Sequence, residues 1–415
     1  MKMSAYRSFE SFDLIDQAFE NHTDDFENDL ISFCSWCVNN YYQTKNHRET
    51  QGLPSESFGK AFADIALGSE PYDLSNLVRS FILTEKQRWF WLYKLLQDID
   101  SKKTLINILA YRCLGWRYVP MALDNPNAWS TLERLQAIAS NYPIADRINI
   151  DFFGMELTPF SLDDFGYEIN LLATNGCVFS EILYSQYNYR GYNFKVAPGD
   201  GDIVLDCGAC HGATSLFFAN QIGKLGKVFS FEFFPENIKV FQKNLEINPL
   251  LKEKITLIEA PVWEEDNTSM EVRGVGPATR VVLLNTQRYI SRIIKKSIDS
   301  LTVAFYLRKN KKYSEKYRFL VKAVSIDAEC RRRNMKSVNF IKMDIEGAEL
   351  SALIGAKQTI TQHKPTLAIC VYHSLKDFYE IPEFITKLDL GYQFYLQHST
   401  VHGDETVLFA RVPNN

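Results

Sequence analysis

The sequence predicts an α/β fold, in which helices cover both faces of a mostly parallel sheet, preceded by a mainly helical region. From residue 202 onward, short apolar runs alternate with segments of helical periodicity. The apolar runs are nearly continuous, which is typical of parallel strands buried on both faces. Before residue 145, apolar residues recur at helical spacing, as at Leu92, Leu95, Leu96 and Ile99.

Each element of the sheet is predicted from its apolar pattern and its flanking residues. The turn "APGDG" precedes the first strand, and Gly223 ends the first helix. Two earlier pieces, "NIDFFGMELTPF" and "CVFSEIL", are predicted to be extended. The predicted strands are 202–206, 227–233, 255–263, 339–344 and 366–372, and the predicted helices are 214–223, 236–248 and 348–356.

These patterns divide the chain into a mainly helical region, residues 1–148, and an α/β domain, residues 149–415. A basic insertion, residues 273–323, interrupts the domain. From residue 286 to 322 it carries eleven Lys or Arg residues against two acids. Part of it, "YISRIIKKSIDSL", has the spacing of an amphipathic surface helix. We consider a solvated helical hairpin, a site for an anionic acceptor, peripheral contact with a membrane, and a nucleic-acid patch.

Composition limits the class of protein. The 415 residues are 46% hydrophobic and include 29 Phe and 21 Tyr, which favours a large core and argues against disorder. The net charge of −4 does not indicate a globally basic nucleic-acid binder. We find no apolar run that predicts a membrane span or a signal peptide. Together with eight cysteines and no disulfide framework, this favours a cytoplasmic location.

The stretch "VLDCGACHG" predicts a cofactor loop. The first strand ends at Asp206, Gly208 and Gly212 flank the turn, and a helix follows at once. The next strand ends in an acid, Glu232, 24 residues after Gly208, where a carboxylate can accept hydrogen bonds from a ribose diol. The loop lacks the G-x-G-x-x-G spacing of a pyrophosphate cradle, which disfavours a nicotinamide oxidoreductase. It favours S-adenosylmethionine, with its amino-acid portion held by Asp206 and loop amides.

The cysteines of this loop admit three interpretations. Cys207, Cys210 and His211 lack a nearby fourth ligand for zinc. A redox Cys-x-x-Cys pair normally opens a helix in a thioredoxin-like setting, which the flanking sequence does not resemble. We therefore favour small residues in a tight loop.

Several stretches resemble the FkbM family of S-adenosylmethionine-dependent methyltransferases, in the family's order. They are "DCGACHGATSLFFA", "GKVFSFEFFPENIKVFQKNL", "AVSIDAEC" and, most distinctively, "FIKMDIEGAELSALIGAKQTI". The resemblance spans roughly residues 195–412 apart from the insertion. It implies the class I methyltransferase fold, a Rossmann-like, mostly parallel seven-stranded sheet, and O-methylation of a small-molecule or glycan hydroxyl. It also implies that Asp206, Gly208 and Glu232 contact the cofactor and that Asp344, Glu346 and Glu349 form the family's acidic motif.

Catalytic candidates lie at the ends of the later strands. Asp344, Glu346 and Glu349 place three carboxylates within six residues, which can hold a divalent cation or can orient an acceptor and a base. Alternatively, Glu346 and Glu349 favour the start of a helix. His373 directly follows a strand and is a candidate base. Trp263 is a candidate to stack on the adenine.

Two other predictions complete the set. Tyr187, before the first strand, is a candidate to close over the cofactor. The main functional rivals are an RNA methyltransferase that uses the basic insertion, although nucleic acid is disfavoured by the net charge, and a non-catalytic scaffold that keeps the fold.

Overall fold

A computed structural model describes most of the chain from residue 85 onward and parts of the chain before it. The described residues are 19, 23, 25–40, 78–79, 85–115, 118–121, 123, 125–141, 148–149, 156–191, 194–273, 280–283, 318–400 and 403–413. Among them, no helix combines the length and the apolar character needed to cross a membrane.

Contacts divide the chain into two compact units. One comprises residues 1–130 with 395–406, and the other comprises residues 131–394 with 407–415. The described residues before 145 form four helices, which confirms the mainly helical N-terminal region. They are α1 (Phe26–Asn40), α2 (Lys86–Leu95), α3 (Ile99–Leu114) and α4 (Pro126–Asn141). Asp98 caps α3 by accepting a hydrogen bond from the Ser101 amide. The boundary at 148 stays a prediction.

The predicted class I methyltransferase sheet, seven-stranded and mostly parallel, is confirmed. Its strands are β6 (Ile203–Cys207), β7 (Lys227–Phe231), β8 (Ile255–Ile258), β12 (Phe340–Met343), β13 (Thr366–Cys370), β14 (Gln393–His398) and β15 (Thr406–Arg411). They lie in the order β14-β15-β13-β12-β6-β7-β8. The five strands from β13 to β8 run parallel, and β15 runs antiparallel to β13.

Seven helices accompany this sheet. They are α5 (Ala213–Gln221), α6 (Pro235–Glu246), α7 (Pro249–Lys252), α8 (Ile326–Arg332), α9 (Glu349–Ile354), α10 (Lys357–His363) and α11 (Asp377–Thr386). Most bounds fall within two residues of the predicted ones. The predicted strand 255–263 is too long, because β8 ends at Ile258 and the chain then turns at Ala260-Pro261.

Smaller sheets complete the described elements. Strands β1 (Ile148–Asn149), β2 (Glu156–Ser161) and β3 (Asn170–Ala173) form one antiparallel sheet, and β4 (Tyr189–Arg190) pairs with β5 (Lys195–Val196). Strands β9 (Ser269–Arg273), β10 (Arg280–Leu283) and β11 (Arg318–Lys322) form another. The rest of the basic insertion, including its predicted surface helix, lies outside the described residues.

The extended prediction for "CVFSEIL" is wrong. Asn175–Cys177 is a helical turn, and Val178–Leu183 continues it as a π-helix. Thr174 caps this segment by accepting from the Cys177 amide. The buried side chains of Val178, Phe179, Ile182 and Leu183 share one helical face, a spacing that an alternating strand cannot match.

Strand β6 marks the switch point of the sheet. The chain leaves β6 toward β7 and β8 on one side and later enters β12 on the other. In open α/β sheets, ligands bind beyond the carboxyl ends of the strands at this point. We therefore expect a ligand to bind at the loops after β6, β7, β12 and β13.

Candidate functional site

A buried ion pair joins the two central strands. Lys342 on β12 lies in register with Asp206 on β6, and its Nζ is 3.1 Å from Asp206 Oδ1. The ammonium also donates to the carbonyl of Gly208 at 2.7 Å. Burial alone would lower the pKa of Lys342, but Asp206 and other nearby acids outweigh it and hold the pKa above its usual range. This pair fixes the start of the loop.

Asp206 itself is enclosed. It has no exposed surface, and Oδ2 accepts hydrogen bonds from Thr214 and Ser215 at 2.7 and 2.6 Å. These contacts tie the strand end to the first turn of α5. In this arrangement Asp206 stabilises the loop, and its direct contact with a cofactor stays a prediction.

Both loop glycines are required by their surroundings. Gly208 has φ +80°, and a Cβ there would lie 1.8 Å from the carbonyl oxygen of Asp344. Gly212 has φ +84°, and its Cβ would lie 2.2 Å from the Phe241 ring. A side chain at either position would meet both backbone strain and a clash. The close approach at Gly208 brings the loop after β6 against the end of β12.

The loop amides are partly used within the fold. Those of Gly208 and Ala209 both donate to the Phe231 carbonyl at 3.0 Å. They therefore hold the loop against the end of β7. Their predicted contact with the cofactor's amino-acid portion is not tested by this arrangement and stays a prediction.

Glu232 lies where the sequence predicts an acid, directly after β7. Its Oε1 accepts from the Phe233 and Phe234 amides, each at 2.7 Å, and its Oε2 accepts from Asn237 at 3.2 Å. Burial raises the pKa of Glu232, although these hydrogen bonds oppose the shift. Since a carboxylate offers about four lone pairs, Oε2 keeps acceptor capacity.

Asp344 is the centre of a second group. The Tyr187 hydroxyl donates to its Oδ2 at 2.8 Å, and the Tyr372 hydroxyl donates to its Oδ1 at 3.2 Å. Burial alone would raise the pKa of Asp344, but the charges of His373 and Lys342 hold it below its usual range. Asp344 is therefore an oriented carboxylate.

His373 lies among three carboxylates. Its Nε2 is 3.5 Å from Asp344 and 3.4 Å from Glu346, and its Nδ1 is 3.3 Å from Glu349. Burial alone would lower the pKa of His373, but Glu349 and Glu346 outweigh it and raise the pKa well above its usual range. With its pKa raised, the His373 ring is protonated and positively charged. The structure thus brings the predicted catalytic residues together, although the base role of His373 stays a prediction.

Glu346 has a left-handed backbone conformation, which it shares with a few other non-glycine residues of the described chain. It has φ +58°, and Gly347 follows with φ +90°. A non-glycine residue in the left-handed region is strained, and such strain is concentrated at functional sites. The side chain is 41% exposed. The turn therefore holds a partly exposed carboxylate 3.4 Å from His373 Nε2.

Trp263 lies beyond the end of β8. Its amide donates to the Val324 carbonyl at 2.9 Å, and its own carbonyl lies so close to Gly355 that a Cβ there would be 2.2 Å away. The side chain is half-buried. Its predicted stacking on adenine stays a prediction.

The loop cysteines do not share one environment. Cys207 is buried and Cys210 is exposed. No cluster of potential metal ligands among the described residues includes either cysteine or His211. Burial lowers the pKa of His211 to about 4, so it is neutral at physiological pH.

Three further residues at this site escaped the sequence-based prediction. Lys342 was detectable as a lysine inside the apolar run "FIKMD". Tyr372 directly precedes His373 and stacks on it, with ring centroids 4.1 Å apart. Glu181 lies in the π-helix, where burial raises its pKa to about 7, while Lys342 opposes the shift. No sequence signal marked Glu181, because the segment was predicted to be extended.

Comparison with known proteins identifies the domain. Residues 206–394 match the family model described as the methyltransferase FkbM domain. The tRNA (adenine(57)-N(1)/adenine(58)-N(1))-methyltransferase TrmI of Methanocaldococcus jannaschii is 32% identical over 141 residues, which cover 30% of this chain and 50% of that protein. The chain thus spans about half the length of this curated relative.

Solved structures show low overall similarity. The methyltransferase FkbM from Methylobacillus flagellatus is 19% identical with a TM-score of 0.44, and the match covers 83% of this chain and 63% of that one. Fibrillarin from Aeropyrum pernix, solved with natively bound S-adenosyl-L-methionine, is 12% identical with a TM-score of 0.29, covering 64% and 92%. The match to the FkbM methyltransferase domain model over residues 206–394 confirms the resemblance found in the sequence.

Proposed function

We propose that this protein transfers a methyl group from S-adenosylmethionine to a hydroxyl of a sugar, a glycan or another small molecule. The observation that carries the proposal is the contact between Gly208 and the carbonyl of Asp344. It joins the glycine loop after β6 to the Asp344–His373 group after β12 and β13. A cofactor loop and a candidate acceptor site are thus adjacent at the switch point.

The residues present fit S-adenosylmethionine on the ribose side. Glu232 Oε1 accepts from the Phe233 and Phe234 amides, and Oε2 accepts from Asn237 and is the oxygen with remaining acceptor capacity. That oxygen can accept from a ribose hydroxyl. S-adenosylmethionine supplies a methyl group that its sulfonium already activates.

The chain's own task is to orient the acceptor. Asp344 is fixed by Tyr187 and Tyr372, and it can accept a hydrogen bond from the acceptor hydroxyl. Bound S-adenosylmethionine would supply the methyl group to the acceptor oxygen, and its sulfur would keep the electron pair of the bond to that group. The hydroxyl proton passes to Asp344 and from there to water. His373, 3.5 Å from Asp344, offsets the charge of the carboxylate before the proton is accepted.

Methyl transfer from isotopically labelled S-adenosylmethionine tests the proposal. We expect label in a saccharide or small alcohol, and we expect Asp344→Asn to reduce turnover at least a hundredfold, the scale of a lost acid–base group. Asp266→Asn, which changes an ion pair with the partly exposed Arg332, is the control and should retain activity. Unchanged turnover in Asp344→Asn would place the chemistry elsewhere.

RNA is the second candidate acceptor. The support is the 32% identity over 141 residues to a tRNA methyltransferase, together with eleven Lys or Arg residues between 286 and 322. If RNA is the acceptor, we expect label in tRNA and RNA binding that weakens steeply with salt. Label in tRNA with none in hydroxyl acceptors would favour it over the first proposal.

A further inference from the structure

We propose that Asp344, Glu349 and His373 bind a divalent transition-metal cation. One potential ligand atom from each lies within 4.8 Å of the other two. The three come from the end of β12, the start of α9 and the end of β13, so the fold, rather than a single loop, brings them together. Any catalytic role of the ion rests on the proposed methyl transfer. Binding of the ion can be tested without it.

Unsatisfied buried atoms point to a missing partner. Glu349 has no exposed surface; its Oε1 accepts from the Ile345 amide at 2.8 Å, and its Oε2 has no hydrogen-bond partner among the described residues. The His373 side chain is 10% exposed, and neither ring nitrogen makes a hydrogen bond of normal geometry within the described chain. Buried polar groups normally have partners, so Glu349 Oε2, which has none among the described residues, calls for a ligand.

The charge of the cluster favours a cation. Asp344, Glu346 and Glu349 together carry three negative charges when ionised, and His373 can offset only one of them. Lys342 is already engaged by Asp206 and the loop carbonyls. A divalent ion would reduce the remaining negative charge.

The ligand types select the class of metal. One imidazole with carboxylates suits first-row ions such as Mn²⁺ or Zn²⁺ better than the all-oxygen preference of Mg²⁺ or Ca²⁺. Tyr187 and Tyr372 orient Asp344, as hydrogen-bonding neighbours of metal ligands do. Glu346, 3.4 Å from His373 Nε2 and partly exposed, is placed to contribute a fourth, solvent-facing oxygen.

Calorimetric titration of the intact protein with Mn²⁺ and with Zn²⁺ tests the proposal. We expect one saturable site per chain for at least one of the two ions. His373→Gln and Glu346→Gln should each weaken binding at least tenfold, and His363→Gln, on α10 outside the cluster, should leave it unchanged.

Two results would overturn the site. One is the absence of saturable binding of both ions, and the other is binding by His373→Gln that equals that of the unaltered protein. Circular dichroism must show that each variant is folded. If His373→Gln, at a buried position, does not fold, Glu346→Gln, at an exposed position, still tests the site. A parallel titration with S-adenosylhomocysteine separates this inference from the proposed function: cofactor binding without metal binding rejects only the metal site.

Discussion

Lys342 Nζ lies 3.1 Å from Asp206 Oδ1 at the centre of the sheet, and the two side chains are 2% and 0% exposed. The strand register places the two residues side by side. A buried ion pair depends on both partners, since either charge alone would be left uncompensated in a poorly solvated environment. The pair also fixes the Gly208 carbonyl, so the same contact supports the fold and the loop.

Lys342→Met should lower the free energy of unfolding by about 3–5 kcal/mol, the usual cost of leaving a buried charge unpaired. Adding Asp206→Asn should restore part of this loss, because the charge that remains is removed. Chemical denaturation measures both. Lys336→Met, the same substitution at an exposed position, is the control and should change stability by less than about 0.5 kcal/mol. A small effect of Lys342→Met would show that the pair does not anchor the loop.

Gly208→Ala should cost more stability than Gly166→Ala. Gly208 has φ +80° and Gly166 has φ +84°, so both have the same backbone conformation. A Cβ at Gly166 would meet nothing within 4 Å, whereas a Cβ at Gly208 would meet the Asp344 carbonyl. Gly166→Ala therefore measures the backbone cost alone, about 1 kcal/mol. We expect Gly208→Ala to exceed it by a further 1 kcal/mol or more, about the scale of an overpacking penalty. Equal midpoints in thermal denaturation would contradict the close contact.

Glu346→Gly should lower methyl transfer without lowering stability. Removing the side chain relieves the strain at φ +58°, so stability should stay the same or rise by up to about 1 kcal/mol. Methyl transfer should fall, because the carboxylate beside His373 is lost. Asp389→Gly, at another left-handed position with φ +52°, should alter stability in the same direction without affecting turnover. A clear loss of stability in Glu346→Gly would mean that the side chain is structural.

Glu181→Gln should stabilise the protein at alkaline pH. Burial raises the folded-state pKa of Glu181 to about 7 from 4.5. The unfolded chain therefore loses this proton first, and stability falls as the pH rises from 4.5 through 7. The variant lacks this penalty, so its advantage over the unaltered protein should be small at pH 4.5 and full above pH 7. Thermal denaturation across this range measures it, and an advantage that does not grow with pH would contradict the raised pKa.

The sheet was predictable because its strands are short apolar runs with clear ends. The runs at 202–206 and 339–344 correspond to β6 and β12, and both end near the acids chosen as site residues. The π-helix Val178–Leu183 was not predicted, because a six-residue apolar run does not distinguish a strand from a buried helix. The residues that pair across the sheet were equally hidden, since strand order cannot be read from one sequence.

The site was predictable in position more than in role. Asp344, Glu346 and His373 follow strands, and the parallel sheet brings them to one edge. Burial and charge were not visible from the sequence. The sequence did not reveal that His373 would face three carboxylates, or that Asp206 would be enclosed by Lys342, Thr214 and Ser215.

Titration of the intact protein with S-adenosylhomocysteine tests the central claim most directly. We expect one site per chain, at least tenfold weaker binding in Glu232→Gln, and unchanged binding in Glu246→Gln, which alters an exposed carboxylate on α6. Absence of binding by the folded protein, together with tight binding of NAD, would contradict it.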